Sequence, residues 1–241
     1  MIYQDILGYR YGMTDDKKPP HYHDHRQRIK QRFMKGGLEG FQDYEALELL
    51  LTYAIPRRDV KPVAKELVER FKDFQGVLDA PAEELAAFPG LGEHSALLIK
   101  LARECSGYYL KRKAKDKSRV CCAPELINYC RMTMAGLKDE QFRVVFLNTQ
   151  NEIIEIETVQ EGTIDQSVVY PRKVMERALY HKAAALIFVH NHPGGNVRPS
   201  YADKEITRTL IDAAKSMDME VYDHLIIGKD GYYSFRDSGL I

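Results

Sequence analysis

The sequence has no tryptophan and only four cysteines, Cys105, Cys121, Cys122 and Cys130, none in a Cys-x-x-Cys spacing. That pattern suits neither a zinc knuckle nor a disulfide framework, and reads as buried or inert thiols in a reducing compartment. Net charge is lacking as well, because Lys+Arg and Asp+Glu are 35 each. No field of the whole molecule draws it to nucleic acid or an anionic membrane, so any such affinity has to be local. No apolar run reaches the roughly 18 residues a spanning helix needs. The opening stretch MIYQDILGYRYGMTDDKK lacks the basic-then-apolar order of a secretory signal. The expected compartment is the cytoplasm, without a membrane partner. Internal repeats and low-complexity tracts are absent too.

What is present is a globular composition: 241 residues, 44% hydrophobic and 29% charged, enough to bury a core and unlike disordered, collagenous or coiled-coil chains. Residues 1–118 hold 21 basic against 18 acidic side chains, and residues 119–241 hold 14 against 17. The pattern changes character near residue 115. Before it, apolar residues recur at helical spacing in Leu47, Leu50, Leu51 and Ala54, in Val63 to Phe71, in Leu85 to Phe88, and in Ala96 to Leu101. Pro56, Pro62, Pro81 and Pro89 punctuate these runs into short helices. After it, Arg143–Leu147 and Ile153–Val159 read as a hairpin, followed by a helix from Tyr170-Pro171 to Leu179 and a strand Ala184–Val189. A Gly/Pro loop, a helix from about Tyr201 to Ser216, and strands Glu220–Ile227 and Tyr232–Phe235 complete the chain.

The expected organisation is an N-terminal extension (1–34), a small all-α domain (35–112), a basic linker (113–119) and a mixed α/β domain (120–241). The run Lys111-Arg112-Lys113-Ala114-Lys115-Asp116-Lys117-Ser118-Arg119 has six basic residues to one acidic; it reads as a linker or a helix end, and as a solvated connection or a phosphate-contacting stretch. The alternating His21-Tyr22-His23-Asp24-His25 reads as an exposed entry into a basic helix, Arg26–Lys35.

The chemistry concentrates between Val189 and Asp203. Residues two apart on a strand share a face, so His190 and His192 can present two imidazoles to one point while Asn191 faces away. A catalytic zinc usually takes a third protein ligand and keeps one position open. Asp203, in the first turn of the next helix, can supply it. Ser200-x-x-Asp203 is equally a capping box in acidic form, in which Asp203 merely favours the helix N-terminus.

His-x-His, seven further residues and Ser-x-x-Asp resemble the signature of JAMM (MPN-type) zinc metalloproteases. Over roughly residues 35–241 the chain resembles the RadC family. The resemblance is carried by His190-Asn191-His192-Pro193, Pro199-Ser200, Asp203, Gly162-Thr163, Tyr170-Pro171-Arg172 and Asp223-His224-Leu225-Ile226. It implies a mixed-sheet JAMM/MPN-like (cytidine-deaminase-like) α/β domain behind a small all-α domain, with one Zn²⁺ per chain on His190, His192 and Asp203. It implies that Ser200 supports the oxyanion, and that a glutamate a few residues before Gly-Thr is the base. Glu157 matches that position best, with Glu155 and Glu161 as alternatives. The implied reaction is hydrolysis of a peptide or isopeptide bond in a protein or peptide substrate. Gly194 departs from the serine common after His-Asn-His-Pro in the family. His224 is expected on a strand beside the site, as a structural residue or in contact with a ligand. The His-x-Glu and Pro-Cys-x-x-Cys ligands of nucleobase deaminases are missing.

Within 88–103, Phe88-Pro89-Gly90-Leu91-Gly92-Glu93 is similar to a helix-hairpin-helix, whose backbone amides can meet a DNA phosphate without reading sequence. Glu93 departs from the neutral or basic residues of DNA-binding examples, since a carboxylate repels phosphate. Two functions therefore stand at this point. One is a zinc hydrolase. The other is a DNA repair or recombination accessory protein that uses Gly90, Gly92, Lys111, Arg112 and Lys113, with a non-catalytic metal.

Overall fold

The computed structural model describes residues 21–115, 124–162 and 169–241. Cys121, Cys122, Thr163, residues 116–119 of the basic run, most of the N-terminal extension and the side chains of His21 and His23 lie outside the described residues.

The chain forms two compact units, divided between Phe74 and Gln75. In the first, α1 (His21–Gly36), α2 (Asp43–Ala54) and α3 (Lys61–Phe71) bury Leu47, Leu51, Ala64 and Leu67 completely. Glu45 accepts the Gln42 N–H at 3.0 Å, satisfying an amide that the first turn of α2 leaves open. At the other end, Pro56 stops the helix, and the buried Arg26 guanidinium donates to the carbonyls of Ile55, Pro56 and Arg58.

The second unit begins with short helices, α4 (Phe74–Asp79) and α5 (Ala82–Ala86), and the long α6 (Glu93–Lys115). The sequence placed a linker at 113–119, yet α6 continues through Lys113 to Lys115. The reason is physical: Ala114 is buried against the sheet, with Leu110 one turn earlier packed beside it. Lys111 and Lys115 both reach Glu155 at 2.9 Å. The end of α6 is thus part of the α/β core rather than a connection to it.

Then follow α7 (Pro124–Met134), β1 (Glu140–Leu147), β2 (Ile153–Gly162), α8 (Pro171–Tyr180), β3 (Ala185–Asn191), α9 (Tyr201–Lys215), β4 (Glu220–Ile227) and β5 (Tyr232–Ser234). Among the described residues the sheet has five strands in the order β2-β1-β3-β4-β5. It is mixed: β1 pairs antiparallel with β2 and β3, β3 runs parallel to β4 through the α9 crossover, and β5 returns antiparallel. Alternation along the strands divides the core. Val145, Leu147, Ile187, Val189 and Leu225 face Leu126, Cys130 and Met134 of α7. Val144, Phe146, Leu186 and Phe188 face Val174 and Ala178 of α8 and Leu210 and Ala214 of α9. Covered on both faces, β3 is buried at every position, which is why it reads as one apolar run. This is the mixed α/β architecture expected, with helices ahead of it. Among the described residues no helix is long and apolar enough to cross a membrane.

The clasp on Glu155 has a measurable consequence. Burial works against its charge, but the hydrogen bond from Lys111, then the Ile156 N–H and Lys115, bring its carboxyl down to about 2 from an ordinary 4.5. A depressed carboxylate stabilises the fold above its unfolded pKa and loses that contribution as pH falls through the folded one. Glu155→Gln should therefore cost about 1 kcal/mol at neutral pH, after solvent screening of a partly exposed pair. Urea midpoints measured against pH should show this gap closing between about 4.5 and about 2. A gap undiminished at the acid end would contradict the assignment.

Candidate metal centre

Three chain features bring the site together. On β3, His190 continues the face of Leu186 and Phe188 to the strand end and is 6% exposed. His192 extends the ladder beyond β3, its N–H bonded to the Ile227 carbonyl of β4 at 2.9 Å. The loop then folds back over the end of β4, where Gly228 makes room: a Cβ there would lie 2.5 Å from Val197 Cγ1 and 2.6 Å from the Gly195 carbonyl. No atom lies within 4 Å of where a side chain at Gly194 would sit, so the departure from the family serine disturbs nothing here.

The loop ends at Ser200, the N-cap of α9. Ser200 Oγ accepts the Asp203 N–H at 3.1 Å, and Asp203 Oδ2 accepts the Ser200 N–H at 2.6 Å. The capping box and the ligand reading, posed as alternatives from sequence, are one geometry. The box that starts the helix also aims the Asp203 carboxylate at the histidines. Asp203 Oδ1 lies 3.3 Å from His190 Nε2, and Oδ2 lies 3.5 Å from His192 Nε2. The two Nε2 atoms are 3.0 Å apart. One donor atom from each of His190, His192 and Asp203 can be chosen so that all lie within 4.8 Å of one another.

Electrostatics agree with this convergence. Burial opposes charge on Asp203, but hydrogen bonds from His190 and then His192 hold its carboxyl well below the usual carboxylate range. The bond to Asp203 in turn raises His192, against its burial, with the Asn196 carbonyl and Glu140 adding to the effect. His192 Nδ1 donates to that Asn196 carbonyl at 2.6 Å, which leaves Nε2 as the ligating atom. Two imidazole nitrogens and one carboxylate are the donor set of a catalytic zinc with an open position, so the residues fit such an ion.

Behind the ligands lies His224, fully buried, with Nε2 at 2.8 Å from His190 Nδ1 and Nδ1 at 2.6 Å from Thr207 Oγ1. Burial, and then the charge of the neighbouring His190, push its pKa well below the ordinary histidine value. His224 is thus buried in the core and in contact with the candidate ligand His190.

Glu157, the expected base, lies away from this cluster. Glu157 pairs across β1 with Val144, two strands from β3 and roughly 10 Å away. Its carboxylate takes two hydrogen bonds from Arg177 of α8, at 2.7 and 2.8 Å, and one contact with His181 at 2.7 Å. The Arg177 bonds, with His181, hold its pKa down against burial. Glu155 is bound to Lys111 and Lys115, and Glu161 bonds Gln141. A glutamate that sequence reading did not single out, Glu140, acts electrostatically on His192. The antiparallel register sets Phe142 opposite His190, and strand alternation puts Glu140, two residues earlier, on the face that holds Phe142 and Val144, at the His190 end of β1. Asn191 pins this alignment, accepting the Gln141 N–H at 2.8 Å and donating to the Asp139 carbonyl at 3.1 Å.

The proposed DNA contacts divide likewise. Gly90 and Gly92 have φ of +87° and +80°, the left-handed turn between α5 and α6 that other residues resist. Lys111 is engaged by Glu155, while Arg112 and Lys113 are exposed.

A family model described as the RadC-like JAB domain matches residues 120–240, half of the chain, and that span holds the whole sheet and all three candidate ligands. The match agrees with the mixed sheet and with the His-His-Asp cluster at the end of β3, and the chain belongs to the RadC-like JAB domain family, whose fold is of metal-dependent hydrolase type.

Proposed function

We propose that the protein is a zinc-dependent hydrolase that cleaves a peptide or isopeptide bond, with one Zn²⁺ per chain held by His190, His192 and Asp203. The observation that carries the reading is the convergence of these three donors beside Glu140. Such an ion, when bound, polarises a carbonyl and makes water nucleophilic near neutral pH. The protein's own residues do the rest. Glu140, whose charge acts on His192, takes the proton from the attacking water and returns it to the leaving amine, a role worth about 10²–10⁴-fold in rate. Ser200 accepts through Oγ from the Asp203 N–H, so its own O–H stays available to donate to an oxyanion.

This assigns Ser200 two separable effects. Ser200→Ala should lower turnover by about 10²–10³-fold and destabilise the start of α9 by about 1 kcal/mol. Ser200→Asp should retain the cap and lose the turnover. Steady-state kinetics on amide and isopeptide substrates, beside thermal unfolding, measure both. Equal turnover in wild type and Ser200→Ala would remove Ser200 from the chemistry.

The left-handed turn at Gly90 and Gly92 supports a second, compatible role, sequence-independent DNA contact at the start of α6. That affinity would fall steeply with salt and would be unaffected by His190→Ala.

A further inference from the structure

The ligand His190 is backed by a hydrogen-bond circuit whose direction can be read from its far end. Thr207 lies one helical turn beyond Asp203, and its Oγ1–H donates to the Asp203 carbonyl, which can only accept. Having spent its proton there, Thr207 Oγ1 accepts in its 2.6 Å contact with His224, so His224 Nδ1 carries the hydrogen. With the hydrogen on Nδ1 and the ring enclosed by aromatic side chains, His224 turns Nε2 as the acceptor toward His190 Nδ1 at 2.8 Å. That makes His190 the donor through Nδ1, so in its neutral form the Nε2 that points toward His192 and Asp203 is the bare nitrogen.

Aromatic rings pack around His224. His224 is stacked on Phe235 at 4.8 Å and meets the edges of Phe142 and Phe188 at 5.6 and 5.9 Å. Thr207 is 2% exposed, so no solvent supplies an alternative partner. The register sets His224 opposite Phe188, on the same face as His190, so β3, β4 and α9 each contribute one member.

We infer that His224 and Thr207 are positioning residues that fix His190 in its Nδ1–H tautomer, so that its Nε2 lone pair faces the ligand cluster before any ion arrives. Asn196 does the same for His192 from the loop. The circuit also ties the two ligands together: Asp203 is linked through Thr207 and His224 to His190, so helix and strand hold one spacing. The assignment of a purpose to this tautomer rests on the proposed metal centre, but the tautomer itself does not.

The test uses metal-free full-length protein first. Two-bond ¹H–¹⁵N correlation spectra at pH 8 should show His190 wholly as the Nδ1–H form. In Thr207→Val, nearly isosteric but unable to accept, His190 should become a mixture of tautomers. Zn²⁺ affinity should fall by about 10–100-fold, the range typical of removing an outer partner of a metal-bound histidine. Thr207→Ser should restore both. A purely structural role would move thermal stability alone, without the tautomer change or the rescue by serine. An Nε2–H or mixed His190 in wild type, or an unchanged tautomer and affinity in Thr207→Val, would overturn the inference. Wild-type protein that shows the expected tautomer but fails to bind Zn²⁺ would support the circuit and overturn the metal centre.

Discussion

Glu140→Gln should reduce amide or isopeptide hydrolysis by about 10²–10⁴-fold while leaving Zn²⁺ binding nearly intact. Glutamine keeps the size of the side chain and loses only the ability to take and return a proton. The control is Glu157→Gln. Glu157 ties β2 to α8 through Arg177 and His181, with the His181 ring 4.6 Å from Phe146. Its loss should lower stability and leave kcat close to wild type. Kinetics of both variants on one substrate, beside their unfolding midpoints, separate the two glutamates. The reverse pattern would return the base to β2 and break the argument from strand register.

Asp203→Asn should have the second large effect, on metal affinity. An asparagine oxygen can still accept the Ser200 N–H, so the capping box survives and α9 should lose no more than about 1 kcal/mol. The anionic ligand is lost, and with it the interaction that chiefly raises His192. The expected fall in Zn²⁺ affinity exceeds the roughly 10–100-fold of an outer-contact change, because one of three protein ligands is gone. Titration calorimetry with thermal unfolding distinguishes ligand from cap. Full affinity with a weakened helix would reduce Asp203 to its capping role.

The two effects also mark what the sequence made legible. His190 and His192 were readable because strand alternation fixes a shared face whatever the tertiary fold, and Asp203 because Ser-x-x-Asp marks a helix start. Glu140 was lost by three residues of strand boundary. The hairpin was read from Arg143, whereas β1 begins at Glu140. The signal was available in part, since Glu140 is in phase with Phe142, Val144 and Phe146, all buried on the His190 face. What extends the strand is Asn191, 50 residues away, which bonds the Gln141 N–H, and no local pattern reports such a contact.

The surroundings of Glu157 were hidden for a similar reason. Its partners Arg177 and His181 come from a helix 20 and 24 residues further on, and spacing along β2 is silent about them. In the first part of the basic run, where a linker or a helix end was open, the structure has the helix end, whose period the charge obscures. Leu110 and Ala114 keep the buried face of α6, and Lys111 and Lys115 recur at the same four-residue interval to clasp Glu155. The position of His224 was legible from its strand. Its partners Thr207 and His190 became visible only when α9 and β3 were brought beside it.

The central claim is a metal held by His190, His192 and Asp203, and elemental analysis tests it most directly. Wild type and the His190→Ala/His192→Ala double variant would be purified without chelator and exposed to Zn²⁺. Both would have residues 21–25 removed, so that the alternating histidines contribute nothing. The expected result is about one zinc per chain in the first and none in the second. Equal zinc in both, or none in either, would contradict the account.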